Sequence, residues 1–98
     1  MKAIIVRDEE GYPVEVRYVS EALDELRERA NANVEKWGPQ DFQTLALAVA
    51  EEAGELAQAV LKHRWEDGPR ERIRDEAVDL GALCVQIVDA HDLRRPHD

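Results

Sequence analysis

Five acidic side chains fall into two groups whose spacing suits chemistry that depends on a metal ion. The first group is the run 51–55 (EEAGE), and the second is the run 76–79 (EAVD). Residues three apart face the same way on a helix. The pairs that result are Glu52 with Glu55 and Glu76 with Asp79. Carboxylates on facing helices can build a site for a hard divalent cation, which prefers oxygen ligands.

Both pairs occur in segments whose other residues are largely apolar. Glu52 lies at the edge of one apolar stripe, and Glu76 lies within another. The stripes comprise Leu45, Val49, Leu56 and Val60 in the first segment and Ile73, Leu80, Leu83 and Ile87 in the second. An ionised carboxylate buried without a partner is very costly, so the two pairs need a shared cation. The alternative is a solvated face with salt bridges to Lys62, Arg72 and Arg74.

Three helices are expected to position these acids, over residues 20–33, 42–64 and 70–90. Ser20 and Asp41 are the expected N-caps of the first two helices. The run Asp67-Gly68-Pro69 breaks the chain before the third helix. Residues 91–98 are polar with a late proline, which predicts a frayed tail.

The N-terminal segment, residues 1–19, has a different pattern. Residues 2–7 and 13–18 are short, β-branched and partly alternating, and residues 8–12 carry turn chemistry. This pattern predicts a β-hairpin, which is marginal alone and must pack on something. A disordered or swapped arm is the competing interpretation.

Composition limits the partners and the compartment. The 98 residues suffice for one domain, and a formal net charge of -9 argues against a surface that binds polymeric nucleic acid. The absence of a signal peptide and of a long apolar run predicts a cytoplasmic protein without membrane contact. Cys84, the single cysteine, has no partner for an internal disulfide, and its apolar neighbours predict a buried core residue.

The two acidic groups also resemble a family signature. E-E-x-x-E followed by E-x-x-D is typical of the MazG-like all-α nucleoside triphosphate pyrophosphohydrolases, and the run 52–57 (EAGELA) resembles that family's E-x-G-E-L-A core. The resemblance covers roughly residues 20–90. It implies magnesium, which manganese can replace, held by Glu52, Glu55, Glu76 and Asp79. It also implies that Glu51 orients or deprotonates water, and that Trp37 stacks on the base. The alternative for Trp37 is a structural role as a cap on the core between helices.

The expected fold is all-α: a bundle of three main helices per chain, completed by homo-oligomerisation, with a short N-terminal β-hairpin. The second and third helices are apolar around most of their circumference, and one chain of this length cannot cover both. A homodimer is therefore expected, and the resemblance to the MazG-like family implies a homodimer or a dimer of dimers. Lys62 shares the face of Glu55 two turns earlier and is a candidate phosphate contact, although a cation also suits a helix C-terminus.

The expected activity is hydrolysis of a nucleoside triphosphate to its monophosphate and pyrophosphate. No Gly-rich phosphate loop is present, so a P-loop mechanism is not available. The strongly acidic chain needs a metal ion to bind an anionic substrate. Two alternatives stay open. One is a phosphoribosyl-ATP pyrophosphohydrolase of histidine synthesis, and the other is a non-catalytic helical dimerisation module.

Overall fold

The structure is a computed structural model that describes residues 3–93, without the side chains of Ala3 and residues 16–20. Residues 94–98 of the predicted tail 91–98 lie outside this described part, as do the first two residues and the Ser20 side chain that was predicted to cap α1. The order of elements is β1 (Ala3–Arg7), β2 (Pro13–Tyr18), α1 (Val19–Trp37), α2 (Phe42–Glu66) and α3 (Arg70–Asp92). The predicted mostly helical fold with an N-terminal hairpin is confirmed.

The hairpin pairs β1 and β2 antiparallel, with Ile5 opposite Val16 and an irregularity after Val6. Its turn is held by the Asp8 carboxylate, which accepts hydrogen bonds from the backbone N–H groups of Glu10 and Tyr12 at 3.0 and 2.9 Å. β2 runs directly into α1.

The ends of the helices follow from local chemistry. The Asp41 carboxylate accepts from the Thr44 backbone N–H at 2.8 Å and caps α2 as predicted. α2 ends at Asp67, whose φ of 55° is left-handed, and the Gly68 N–H donates to the Lys62 carbonyl at 2.9 Å. Pro69 then precedes α3 as its N-cap. A loop of three residues, 67–69, thus joins α2 to α3.

α3 is the helix on which both α1 and α2 pack. The small core consists of Ala30, Leu45, Ala59, Val78 and Ala82. Gly81 allows α1 to approach closely, because a Cβ built there would lie 2.7 Å from the Leu26 Cδ2 atom. Arg27 adds a bidentate ion pair from α1 to Asp89 on α3, at 2.5 and 3.1 Å.

Much apolar surface remains exposed on the single chain. Its accessible area is 7687 Å², against about 5,700 Å² expected for a compact monomer of this mass. Leu47 is 67% exposed and Trp65 71%. Cys84 is also exposed, so the prediction of a buried core residue was wrong for the single chain: α1 and α2 do not cover that side of α3. Between residues 3 and 93, no helix is both long and apolar enough to cross a bilayer.

Candidate functional site

Three of the predicted acidic side chains meet where α2 packs on α3. Glu52 comes from α2, and Glu76 and Asp79 come from α3 at a spacing of three residues, which places them on one face. One carboxylate oxygen from each lies within 4.8 Å of the other two, and all three residues are half-buried. The two helices thus form a cluster of three carboxylates, called the acidic trio below.

Two oxygens of the acidic trio lack any partner. The Oε2 atoms of Glu52 and Glu76 are buried and accept no hydrogen bond. A buried carboxylate oxygen without a donor costs free energy that a native fold normally avoids. A hard divalent cation is the ligand that these oxygens fit, because it needs several oxygen donors and neutralises their charge.

The electrostatics of the trio reflect its burial and its crowding of like charges. Burial is the largest cause, and with the neighbouring acids Glu76, Glu55 and Asp79 it raises the pKa of Glu52 to about 7. The glutamate therefore holds its proton far more strongly than an ordinary one does. A bound cation would reverse this preference, because it interacts favourably only with the ionised form.

The other two predicted acids flank the trio. The negative charge of Glu76 is the largest cause that raises the pKa of Glu55, with smaller contributions from burial and from Glu51. Glu55 is therefore close to Glu76, although it is not within the 4.8 Å group. Glu51 is exposed on the same helix. The structure thus brings four of the five acids near one another around Glu76 and leaves Glu51 at the rim.

Two arginines accompany these acids. Arg29 of α1 forms an ion pair with Asp79 through its Nη1 atom. Arg72 lies one turn before Glu76 on α3, with its Nε 3.7 Å from the Glu76 Oε1 atom. Its positive charge also acts on Glu55, opposing the rise in the pKa of that carboxyl group.

A cavity of about 340 Å³ opens beside the trio, and Glu52 and Asp79 form part of its wall. Trp37, at the end of α1, also lines this cavity and is 65% exposed, and the Lys36 Nζ atom lies 4.9 Å from the centroid of its ring. Asn33 donates from Nδ2 to Gln86 Oε1 at 2.9 Å across the cavity wall. The cavity therefore joins acidic groups, an aromatic ring and the three amides of Asn33, Gln40 and Gln86.

A larger cavity of about 730 Å³ lies beyond Gln40 and Gln86, which line both cavities. Its wall includes Val34, Phe42 and Leu45, and no member of the acidic trio. Size alone would favour this cavity as the functional site. The chemistry favours the smaller cavity, because the carboxylates whose oxygens lack hydrogen-bond partners lie beside it and not beside the larger one.

Lys62 stands apart from the cavity. It is half-buried near the end of α2, where its carbonyl accepts the capping hydrogen bond from Gly68, and it is not among the residues that line either cavity. Its predicted contact with phosphate stays a prediction.

Arg29, Asn33 and Gln86 were not identified as site residues from the sequence. Gln86 is 5% exposed and lies within the apolar run 80–88, so a lone amide in that run was an available signal. Asn33 lies one turn after Ala30 and one turn before Trp37 on α1, which was a second signal. Arg29 gave no signal, because an arginine beside an apolar stripe is ordinary on a helix.

Known proteins add no assignment to this geometry. Comparison of the chain with known protein families, with curated proteins and with solved structures found no match.

Proposed function

We propose that this protein is a magnesium-dependent nucleoside triphosphate pyrophosphohydrolase of the MazG-like type, releasing a nucleoside monophosphate and pyrophosphate. The observation that carries the proposal is the acidic trio with its two buried oxygens that lack partners. Support also comes from the cavity beside it, which offers an indole face for a base within reach of the carboxylates. The resemblance of the runs 51–55 and 76–79 to the MazG-like signature favours this reaction among those that use magnesium.

The side chains have separate roles in this proposal. Glu52, Glu76 and Asp79 hold magnesium, and Glu55 completes the set from its position next to Glu76. When bound, the ion supplies charge neutralisation for the triphosphate and activation of a water molecule. Glu51, at the rim, accepts the proton that this water loses when it attacks the phosphoanhydride. Trp37 stacks on the base, since its exposed ring borders the cavity.

The acidic character of the protein is consistent with such a substrate. With a formal net charge of -9, the chain repels phosphate groups unless a cation lies between them. A free nucleotide arrives with a divalent ion and satisfies this condition, and a polymeric phosphate backbone with its many exposed charges does not. The proposal therefore includes no binding of DNA or RNA.

The proposal also includes a homodimer formed through α2. Leu47, Gly54 and Leu61 recur every seven residues, and Trp65 follows one turn later. These residues are exposed and lie on the side of α2 opposite Leu45 and Ala59, which face α3. A Cβ built at Gly54 would meet no atom within 4 Å, so a second helix has room to approach there. A two-fold axis would cover this stripe with its own copy.

The experiment that tests this function is a panel of ribo- and deoxyribonucleoside triphosphates, with phosphoribosyl-ATP included, assayed with magnesium or with EDTA. We expect release of pyrophosphate that needs magnesium and is highest for one or a few nucleoside triphosphates. Preference for phosphoribosyl-ATP would reassign the substrate. Absence of turnover for every compound would favour a non-catalytic dimerisation module.

A further inference from the structure

The ion pair between Arg29 and Asp79 joins α1 to the acidic trio. Asp79 has a carboxylate oxygen within 4.8 Å of a carboxylate oxygen of Glu52 and of Glu76. Its carboxylate also accepts a hydrogen bond from the guanidinium of Arg29. The side chains of Arg29 and Asp79 are 39% and 38% exposed, so both are accessible to a ligand in the cleft. An exposed ion pair of this kind contributes little to folding stability, so Arg29 can leave Asp79 for another anion at a small cost in free energy.

The position of Arg29 along α1 is the second observation. Arg29, Asn33 and Trp37 follow one another at intervals of four residues, or about 6 Å along the helix axis. Asn33 and Trp37 line the cavity together with Glu52 and Asp79. One side of α1 therefore presents a guanidinium, an amide and an indole in sequence over about 12 Å, with the guanidinium at the carboxylates.

A divalent cation at the trio would change the surroundings of Arg29. Asp79 would give its oxygen to the cation, and the guanidinium would then lie next to a like charge. Arg72, the other arginine at these acids within residues 3–93, lies beside Glu76 and Glu55, neither of which lines the cavity. Arg29 does not itself line the cavity, but its partner Asp79 does, so Arg29 lies next to the cavity wall through this ion pair. The planar guanidinium of Arg29 can also donate hydrogen bonds to two phosphate oxygens at once.

We propose that Arg29 is a phosphate-binding residue that pairs with Asp79 in the absence of ligand and transfers to the triphosphate when the divalent cation binds. This inference rests on the proposed function and adds a residue from α1 to its site. The order of groups along α1 then places the phosphates at Arg29, the sugar near Asn33 and the base at Trp37. Without phosphate, Arg29 competes with the cation for the carboxylate of Asp79. With phosphate, Arg29 assists binding of the triphosphate together with the cation.

The experiment uses calorimetry with two probes, Mn²⁺ alone and tripolyphosphate with Mn²⁺, on the wild type and on Arg29→Ala. Because the variant removes a competitor for Asp79, we expect Mn²⁺ alone to bind roughly twofold to fivefold more tightly. Because it also removes a charged donor, we expect tripolyphosphate with Mn²⁺ to bind at least about tenfold more weakly. Arg29→Lys keeps the charge and should recover part of the tripolyphosphate affinity.

The matched control is Arg27→Ala, which removes another ion pair between α1 and α3 away from the trio. It should change neither affinity. Equal changes of both affinities in the same direction, or unchanged tripolyphosphate binding in Arg29→Ala, would overturn the role of Arg29 while the proposed function stands. If Arg29→Ala fails to fold, Arg29→Lys and Arg29→Gln carry the same comparison. A wild type that binds neither probe would contradict the proposed function, and this inference with it.

Discussion

Glu52 on α2 and Glu76 on α3 each direct one carboxylate oxygen into a buried position without a hydrogen-bond donor, and the two residues belong to the same cluster as Asp79. Other polar groups of these helices have partners: the Asp41 carboxylate accepts a hydrogen bond from the Thr44 N–H at the start of α2, and Arg27 donates to Asp89. The unsatisfied pair is therefore the local exception that a cation would resolve.

The first prediction concerns pH and stability without metal. The Glu52 pKa rises from an ordinary 4.5 to about 7 in the folded chain. Between those values the folded state binds more protons than the unfolded state, so the free energy of unfolding should fall as pH rises. With screening at this half-buried site, we expect a fall on the order of 1–2 kcal/mol, measured by urea unfolding in EDTA.

Glu52→Gln is the control for this pH dependence. The variant cannot release the proton, so its stability should change less between pH 4.5 and 7. Asp41 and Asp89 have pKa values that are lowered in the folded chain, so both groups stabilise the fold at pH values above their ordinary pKa of 3.8. They lose this contribution only as the pH falls further. An identical slope for wild type and Glu52→Gln would show that Glu52 does not cause the change.

A second prediction concerns Glu76→Gln. The substitution removes a ligand and also relieves repulsion among the acids, so we expect loss of turnover with apo stability level or higher. Saturation with magnesium at a hundred times its Kd should stabilise the wild type by about 2.7 kcal/mol and the variant by much less. Thermal unfolding with and without magnesium measures this difference.

The matched control for Glu76 is Asp75→Asn, which neutralises the adjacent, exposed acid on α3. It should keep both turnover and stabilisation by magnesium. Retained turnover in Glu76→Gln, together with a clear drop in apo melting temperature, would indicate a structural role for Glu76 instead.

The parts of the fold that could be predicted from sequence are those that local chemistry determines. The Asp41 cap, the break at Asp67-Gly68-Pro69 and the hairpin turn at residues 8–12 depend on neighbours within a few residues. α1 continues to Trp37, beyond its predicted end near Asn33, and it ends where Gly38 adopts a left-handed φ of 78° and donates its N–H to the Val34 carbonyl at 2.8 Å.

The site was predicted in part for a similar reason. Acids at a helical spacing of three residues reveal a shared face, so Glu52, Glu76 and Asp79 could be grouped. Periodicity does not say which side of α3 receives α1, and that placement brings Arg29 and Asn33 to the acids. The error at Cys84 has the same origin, since an apolar run does not reveal which of its faces a neighbour covers.

A third prediction concerns the contact of α1 with α3. Gly81→Ala gains about 1 kcal/mol of helix propensity, but its methyl group would lie 2.7 Å from a Leu26 methyl carbon. Overpacking costs about 1–3 kcal/mol, so we expect a net destabilisation on the order of 1 kcal/mol by chemical unfolding. In a Leu26→Ala background the same change should become stabilising. A stabilising Gly81→Ala in the wild-type background would contradict the close approach.

A fourth prediction concerns assembly. The exposed stripe on α2 consists of Leu47, Gly54, Leu61 and Trp65. If this stripe packs on its own copy in a dimer, the melting temperature should rise with protein concentration, since unfolding is then coupled to dissociation. Leu61→Glu places a charge on the stripe and should lower the apparent mass and the melting temperature. Leu23→Glu on α1, where leucine is 57% exposed, is the matched control and should leave the mass unchanged. A folded wild-type monomer of 11.2 kDa at micromolar concentration would refute the dimer.

The central claim is tested most directly by identifying the products with phosphorus NMR, using the best triphosphate of the panel, magnesium and wild-type protein. The proposed function predicts nucleoside monophosphate and pyrophosphate in equal amounts, both absent when EDTA replaces magnesium. Diphosphate with orthophosphate, products that form equally well in EDTA, or no product from any triphosphate would contradict it.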